Sequence, residues 1–136
     1  MTSEIETSIT GSISENVVIG EFLKRGFDVY LPVVDRGIDC IISSGGNYYE
    51  IQIKTRFTAK KGKHIFDVWN FTVRDNFFIV CYQAELYSDV FWIIPSRMFS
   101  EYGYQNKNNV YRLVLNPEKQ KILEKYKNNF HQFREQ

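Results

Sequence analysis

The chain has 136 residues and a formal charge of +1, with 43% hydrophobic and 16% aromatic residues. That length supplies one substantial core and not two, and the composition excludes a disordered or fibrous chain. No apolar run reaches the roughly 20 residues of a membrane-spanning helix. The expectation is therefore a single domain over residues 1–136.

In chain order, residues 1–10 show no periodicity and are expected to be loose. Gly11 to Gly26 reads as a helix, with Ser12 and Glu15 at capping-box spacing and Gly26 placed to end it. Val18, Ile19, Phe22 and Leu23 form its apolar stripe; Glu15 shares that face, and Glu21 pairs with Lys24 or Arg25 on the solvent side. Phe27 to Pro32 alternates as a short strand, Asp35-Arg36-Gly37 is a turn, and Asp39 to Ser43 is a second strand. Ser44-Gly45-Gly46-Asn47 is a hairpin turn into a third strand, Tyr48 to Arg56. Thr58 to Lys63 is a loop, and Ile65 to Val73 is extended. Phe77 to Tyr82 reads as a strand covered on both faces, followed by a strand at Val90 to Ile94, a short helix at Ser96 to Tyr104 and a strand at Val110 to Leu115. Asn116 and Pro117 cap and open a C-terminal helix whose stripe is Ile122, Leu123, Tyr126, Phe130 and Phe133. The pattern predicts an α/β fold, a sheet with helices packed on it.

Cys40 and Cys81 sit inside apolar runs, as buried reduced thiols do, and no close Cys/His spacing suggests structural zinc. The polar, acidic start Met1–Glu6 is unlike a secretory signal, so the expected location is cytoplasmic. Charge is unevenly spread. Lys54, Arg56, Lys60, Lys61 and Lys63 lie together with no acid between Glu50 and Asp67, while the remainder carries 12 basic against 16 acidic residues. Such a loop suits either a phosphate-contacting edge or a solvated turn.

The third strand carries the sharpest signal. Its odd members Tyr49, Ile51 and Ile53 are apolar, and its even members Glu50, Gln52 and Lys54 are polar. Residues two apart share a face, so Gln52 and Lys54 project together, and a hairpin brings Asp39 to them. An oxygen-lined spot beside an ammonium group is what a hard divalent cation and a phosphate both need. Each member has an ordinary alternative: Glu15 as a cap, Asp39 as a strand-start residue, Gln52 and Lys54 as the solvated side of an edge strand. Trp69, Tyr82 and Trp92 read as core or interface residues, and His64 as an incidental histidine.

The runs Gly11-Ser12-Ile13-Ser14-Glu15, Gly26-Phe27-Asp28-Val29, Gly37-Ile38-Asp39-Cys40-Ile41-Ile42 and Glu50-Ile51-Gln52-Ile53-Lys54-Thr55 together resemble the PD-(D/E)XK nuclease superfamily. It includes restriction enzymes, Holliday-junction resolvases and homing endonucleases. The resemblance implies a restriction-endonuclease-like core, a central mixed β-sheet flanked by helices, and hydrolysis of phosphodiester bonds in double-stranded DNA. It implies Glu15, Asp39, Gln52 and Lys54 as the catalytic set. Mg²⁺, with Mn²⁺ as a substitute, would be held by Asp39, Gln52, Glu15 and the Ile53 backbone carbonyl. Arg56, Lys60, Lys61 and Lys63 would contact DNA. A short chain with one site also implies a homodimer or homotetramer for cutting two strands. Two departures stand out: Gln52 replaces the usual acid, with Glu50 on the same face as a candidate substitute, and Ile38 replaces the usual proline. Two other functions fit the same residues. One is a catalytically weakened DNA-binding or interaction module; the other is a structure-specific resolvase.

Overall fold

A computed structural model describes residues 4–34, 36–56, 64–84 and 88–133, with side chains from Gly11 onward. The first helix, α1 (Glu4–Lys24), begins earlier than Ser12. Ser12 is therefore not its cap. Ile5, Ile9 and Ile13 recur every fourth residue, and no Gly or Pro interrupts Glu4 to Thr10, so the helix propagates back past Gly11. Its buried line is Ser14, Val18 and Phe22, one helical turn apart; Leu23 lies off that line and is exposed. Glu21 pairs with Lys24 at 3.1 Å and Arg25 at 3.6 Å, as its position predicts. The helix ends in a Schellman motif. Phe27 N–H donates to the Phe22 carbonyl and Gly26 N–H to that of Leu23, with Gly26 at φ 87°.

A five-stranded mixed sheet follows, in the order β1-β2-β3-β5-β6. Its strands are β1 (Asp28–Tyr30), β2 (Cys40–Ser44), β3 (Asn47–Arg56), β5 (Phe77–Gln83) and β6 (Val90–Pro95). The β2–β3 hairpin closes on Gly45 (φ 60°) and Gly46 (φ 85°), whose positive φ values suit a two-residue turn matched to strand twist. β3 runs parallel to β5, the one parallel pairing among otherwise antiparallel neighbours. A second sheet, β4 (His64–Trp69), β7 (Tyr104–Lys107) and β8 (Val110–Leu115), has the order β4-β8-β7. The strand β7 has too little apolar alternation to be read from sequence.

Strand alternation assigns the central sheet's side chains to two cores. Tyr49, Ile51, Ile53, Val80, Tyr82, Phe91 and Ile93 pack toward α1. Phe77, Ile79, Cys81, Trp92 and Ile94 pack toward the second sheet and toward helix α2 (Ser96–Tyr102). Burial of each large apolar side chain contributes about 1.5–3 kcal/mol, so both faces of β5 are needed. Tyr82 and Trp92 are core residues, as expected.

The predicted C-terminal helix is broken. Asn116 caps α3 (Pro117–Ile122) by accepting from Lys119 N–H at 2.8 Å, with Pro117 in its first turn, but the helix stops at Ile122. Two 3-10 turns follow, Glu124–Tyr126 and Phe130–Phe133. The reason lies in where the apolar residues go. Leu123 enters the core of the second sheet, whereas Phe130 and Phe133 enter the α1 core on the other face. No straight helix reaches both. The chain instead crosses the edge of β6, where Lys127 bridges Trp92 and Asn128, at φ 55°, exchanges hydrogen bonds with the Phe91 backbone. Ile122, expected in the stripe, is 44% exposed.

Candidate active site

β3 is a central strand, paired with β2 on one side and β5 on the other. The polar face of this strand is thus no edge of a sheet. Gln52 is only 7% exposed, and its side chain takes no hydrogen-bond partner among the described residues. The residue is buried as a whole, but its amide end reaches the solvent of a cleft, where water, a metal or a ligand can satisfy it. Gln52 opens into a cleft of about 320 Å³ whose walls also include Gly37 and Trp69.

Asp39 precedes the first residue of β2, and its backbone N–H donates to the Ile51 carbonyl at 2.8 Å. Its carboxylate oxygen Oδ2 accepts the Ile53 N–H at 2.6 Å. The hairpin therefore delivers Asp39 to β3 at the residue between Gln52 and Lys54. A charge-assisted bond of this length fixes the carboxylate against the strand. Glu15, half-buried on α1, lines with Asp39 a second cleft of about 290 Å³, walled by Ile19, Leu31, Pro32 and Ile38. Cys40 registers both acids: burial first, then the Asp39 and Glu15 charges, push its thiol up to about 12. Burial likewise raises Cys81, and both cysteines are free and buried as the sequence predicts.

Lys54 is half-buried on the Gln52 face, close enough to Asp67 to help hold that carboxyl below its usual range; the main cause there is the bidentate Arg112 guanidinium, at 2.7 and 2.9 Å. Arg56 is exposed and its Nε donates to the Ile65 carbonyl, while Lys60, Lys61 and Lys63 lie outside the described residues. Glu50, the candidate substitute acid, is engaged elsewhere, 3.3 Å from Arg74 Nε. His64 is buried and stacked near Phe66, not a surface residue. Trp69, read from sequence as core or interface, is 64% exposed at the end of β4, beside Gln52. Its partners in that cleft, Arg36, Asn70 and Arg74, were not singled out from sequence, because they come from two distant connections, β1–β2 and β4–β5, with no shared motif.

Among the described residues no three of His, Cys, Asp and Glu gather. The oxygen donors of this region are two carboxylates, Asp39 and Glu15, lining one cleft, and the Gln52 amide, which opens into the neighbouring one. That set fits a hard cation that keeps several waters, such as Mg²⁺, and does not fit zinc.

This arrangement of a mixed sheet, an N-terminal helix and an acid delivered by a hairpin onto a Gln-x-Lys strand is a nuclease-type fold. The structure is similar to that of a bacterial homing endonuclease, I-Ssp6803I, with a TM-score of 0.70 at 24% sequence identity, over 97% of this chain and 91% of that one. A family model described as PD-(D/E)XK endonuclease matches residues 5–133, and the chain belongs to that family. No curated protein matches the sequence.

Proposed function

We propose that this chain is a metal-dependent endonuclease acting on double-stranded DNA, a single nuclease domain that works as a symmetric homodimer or homotetramer. One observation carries the reading: Asp39 is anchored on the Ile53 N–H, between Gln52 and Lys54, and the Gln52 amide opens into a cleft without a protein hydrogen-bond partner among the described residues. An acid, an amide and an ammonium group gathered at one stretch of strand suit a cation and a phosphate that complete them.

Asp39, the Gln52 amide oxygen and Glu15 would hold Mg²⁺, with Mn²⁺ as a substitute and the Ile53 carbonyl as a backbone ligand. When bound, the ion polarises a phosphodiester and lowers the pKa of a water. Lys54, on the Gln52 face, donates to the scissile phosphate and stabilises the charge that builds there. The Ile53 N–H holds the Asp39 carboxylate in one orientation. Arg56 and the lysines at 60, 61 and 63 track the DNA backbone. The free buried thiols suit a reducing compartment such as the cytoplasm.

Cleavage of supercoiled plasmid with Mg²⁺ or Mn²⁺ tests the activity. Lys54→Ala is expected to lower the rate by about 10²–10³, the loss typical of one donor to a developing oxyanion. Cleavage unchanged in that variant sinks the assignment. One observation favours a second reading, a DNA-binding module without catalysis: among the described residues two carboxylates, Asp39 and Glu15, face the site. Calorimetric titration with Mg²⁺, wild type against Asp39→Ala, separates the two. Equal heats from both proteins support the module.

A further inference from the structure

The cleft above Gln52 holds more than the proposed metal site requires. Arg36, Trp69 and Arg74 converge on it from the β1–β2 loop, the end of β4 and the loop before β5. Arg74 is held firmly. Its backbone N–H donates to the Ser96 hydroxyl at 3.1 Å, and that hydroxyl, on a fully buried residue, donates back to the Arg74 carbonyl at 2.7 Å. The guanidinium lies over the Phe77 ring at 4.0 Å, with Nε on Glu50 and Nη1 on the Thr72 hydroxyl at 2.7 Å. Nη2 has no partner among the described residues, and neither has Arg36. Such preorganisation removes most of the rotamer entropy that an arginine loses on binding. Trp69 adds an open aromatic face.

We propose that this cleft is a nucleotide subsite: Arg36 and Arg74 take a phosphate next to the scissile one, and Trp69 stacks on a base drawn out of the duplex. The proposal rests on the nuclease reading above and adds a second point of grip to it. The volume of 320 Å³ is at the low end for ligand pockets, room for one nucleotide and not for a paired step. Among the described residues the lining carries two guanidiniums and no carboxylate, with Glu50 bound to Arg74 and Asp39 bound to the Ile53 N–H outside it. Base–aromatic stacking needs an unpaired base, because in a duplex the ring faces are covered.

The chain has two tryptophans, and Trp92 is 1% exposed, so an emission change on binding DNA reports Trp69. Wild type, Trp69→Phe, Arg74→Gln and Arg36→Gln are titrated in EDTA with a mixed-sequence duplex carrying one unpaired nucleotide, and with its fully paired counterpart. Binding itself is followed by anisotropy of the labelled DNA. The expected result is quenching of wild-type emission, deeper with the unpaired nucleotide and absent in Trp69→Phe. Each arginine variant is expected to bind about tenfold more weakly, with the log–log salt slope reduced by about 0.9, the value of one phosphate contact. Anisotropy showing tight binding while emission and both arginine variants stay unchanged overturns the subsite and leaves the nuclease reading standing. No binding by any form overturns the subsite, while plasmid cleavage with Mg²⁺ decides the nuclease reading separately.

Discussion

Replacing Gln52 with Glu restores the acid that most family members carry, at a position only 7% exposed. Without metal, the new carboxylate would sit beside the Asp39 carboxylate anchored on Ile53 N–H and would lose most of its hydration. Both effects raise its pKa above the unfolded value of about 4.3, by about two units. Each unit is worth 1.36 kcal/mol, so Gln52→Glu should cost about 2.7 kcal/mol at pH 8. The sign follows from linkage. A raised folded pKa leaves stability intact below the unfolded value and removes it as pH rises through the folded one. The loss should therefore shrink to near zero at pH 4. Mg²⁺ at a hundred times its Kd adds back about 2.7 kcal/mol, enough to offset the whole cost. Urea midpoints at pH 4 and pH 8, with EDTA or Mg²⁺, measure all four corners. A loss that is the same at both pH values, or unaffected by Mg²⁺, refutes the reasoning that Gln52 faces Asp39 in a shared cation site.

Phe133→Ala removes a buried ring that meets Phe22, Phe27, Tyr49 and Phe78, and should cost about 3–5 kcal/mol in denaturant melts. Asp67, held below its usual range chiefly by Arg112, contributes stability above its unfolded pKa that is lost as pH falls through the lower folded value; Asp67→Asn should flatten that acid limb of a thermal-melt series. Iodoacetamide at pH 8 should leave Cys40 and Cys81 unmodified in native protein and alkylate both in urea, as mass spectrometry would show, because burial keeps both as thiols.

The polar face of β3 was legible because alternation over Tyr49 to Lys54 is local, and the Gly45-Gly46 turn fixes which residue of β2 meets it. Asp39 follows from the same hairpin. The depth of Gln52 was not legible. It depends on β5 running parallel alongside β3, a contact between segments that share no motif. The C-terminal segment misled for a related reason. Leu123, Tyr126, Phe130 and Phe133 have helical spacing, yet their targets lie on opposite faces of the sheet. Ser12 and Glu15 also form an attractive capping box, but local cap chemistry yields where the helix gains further turns. The Arg36–Trp69–Arg74 cleft had no sequence signature, since the β1–β2 loop and the distant β4–β5 segment build it together.

The strap across β6 also has a consequence for how the chain acquires its structure. Phe22 lies edge-on to Phe130 and Phe133, so α1 has part of its packing surface in a segment made much later in synthesis. Until that segment has left the ribosome, α1 has an incomplete seat and its apolar face stays open. Contacts so remote in sequence carry a loop-closure cost that must be met before they reward the chain. Folding of this protein should therefore be slow for its size, with the nascent helix exposed to chaperones in the interval.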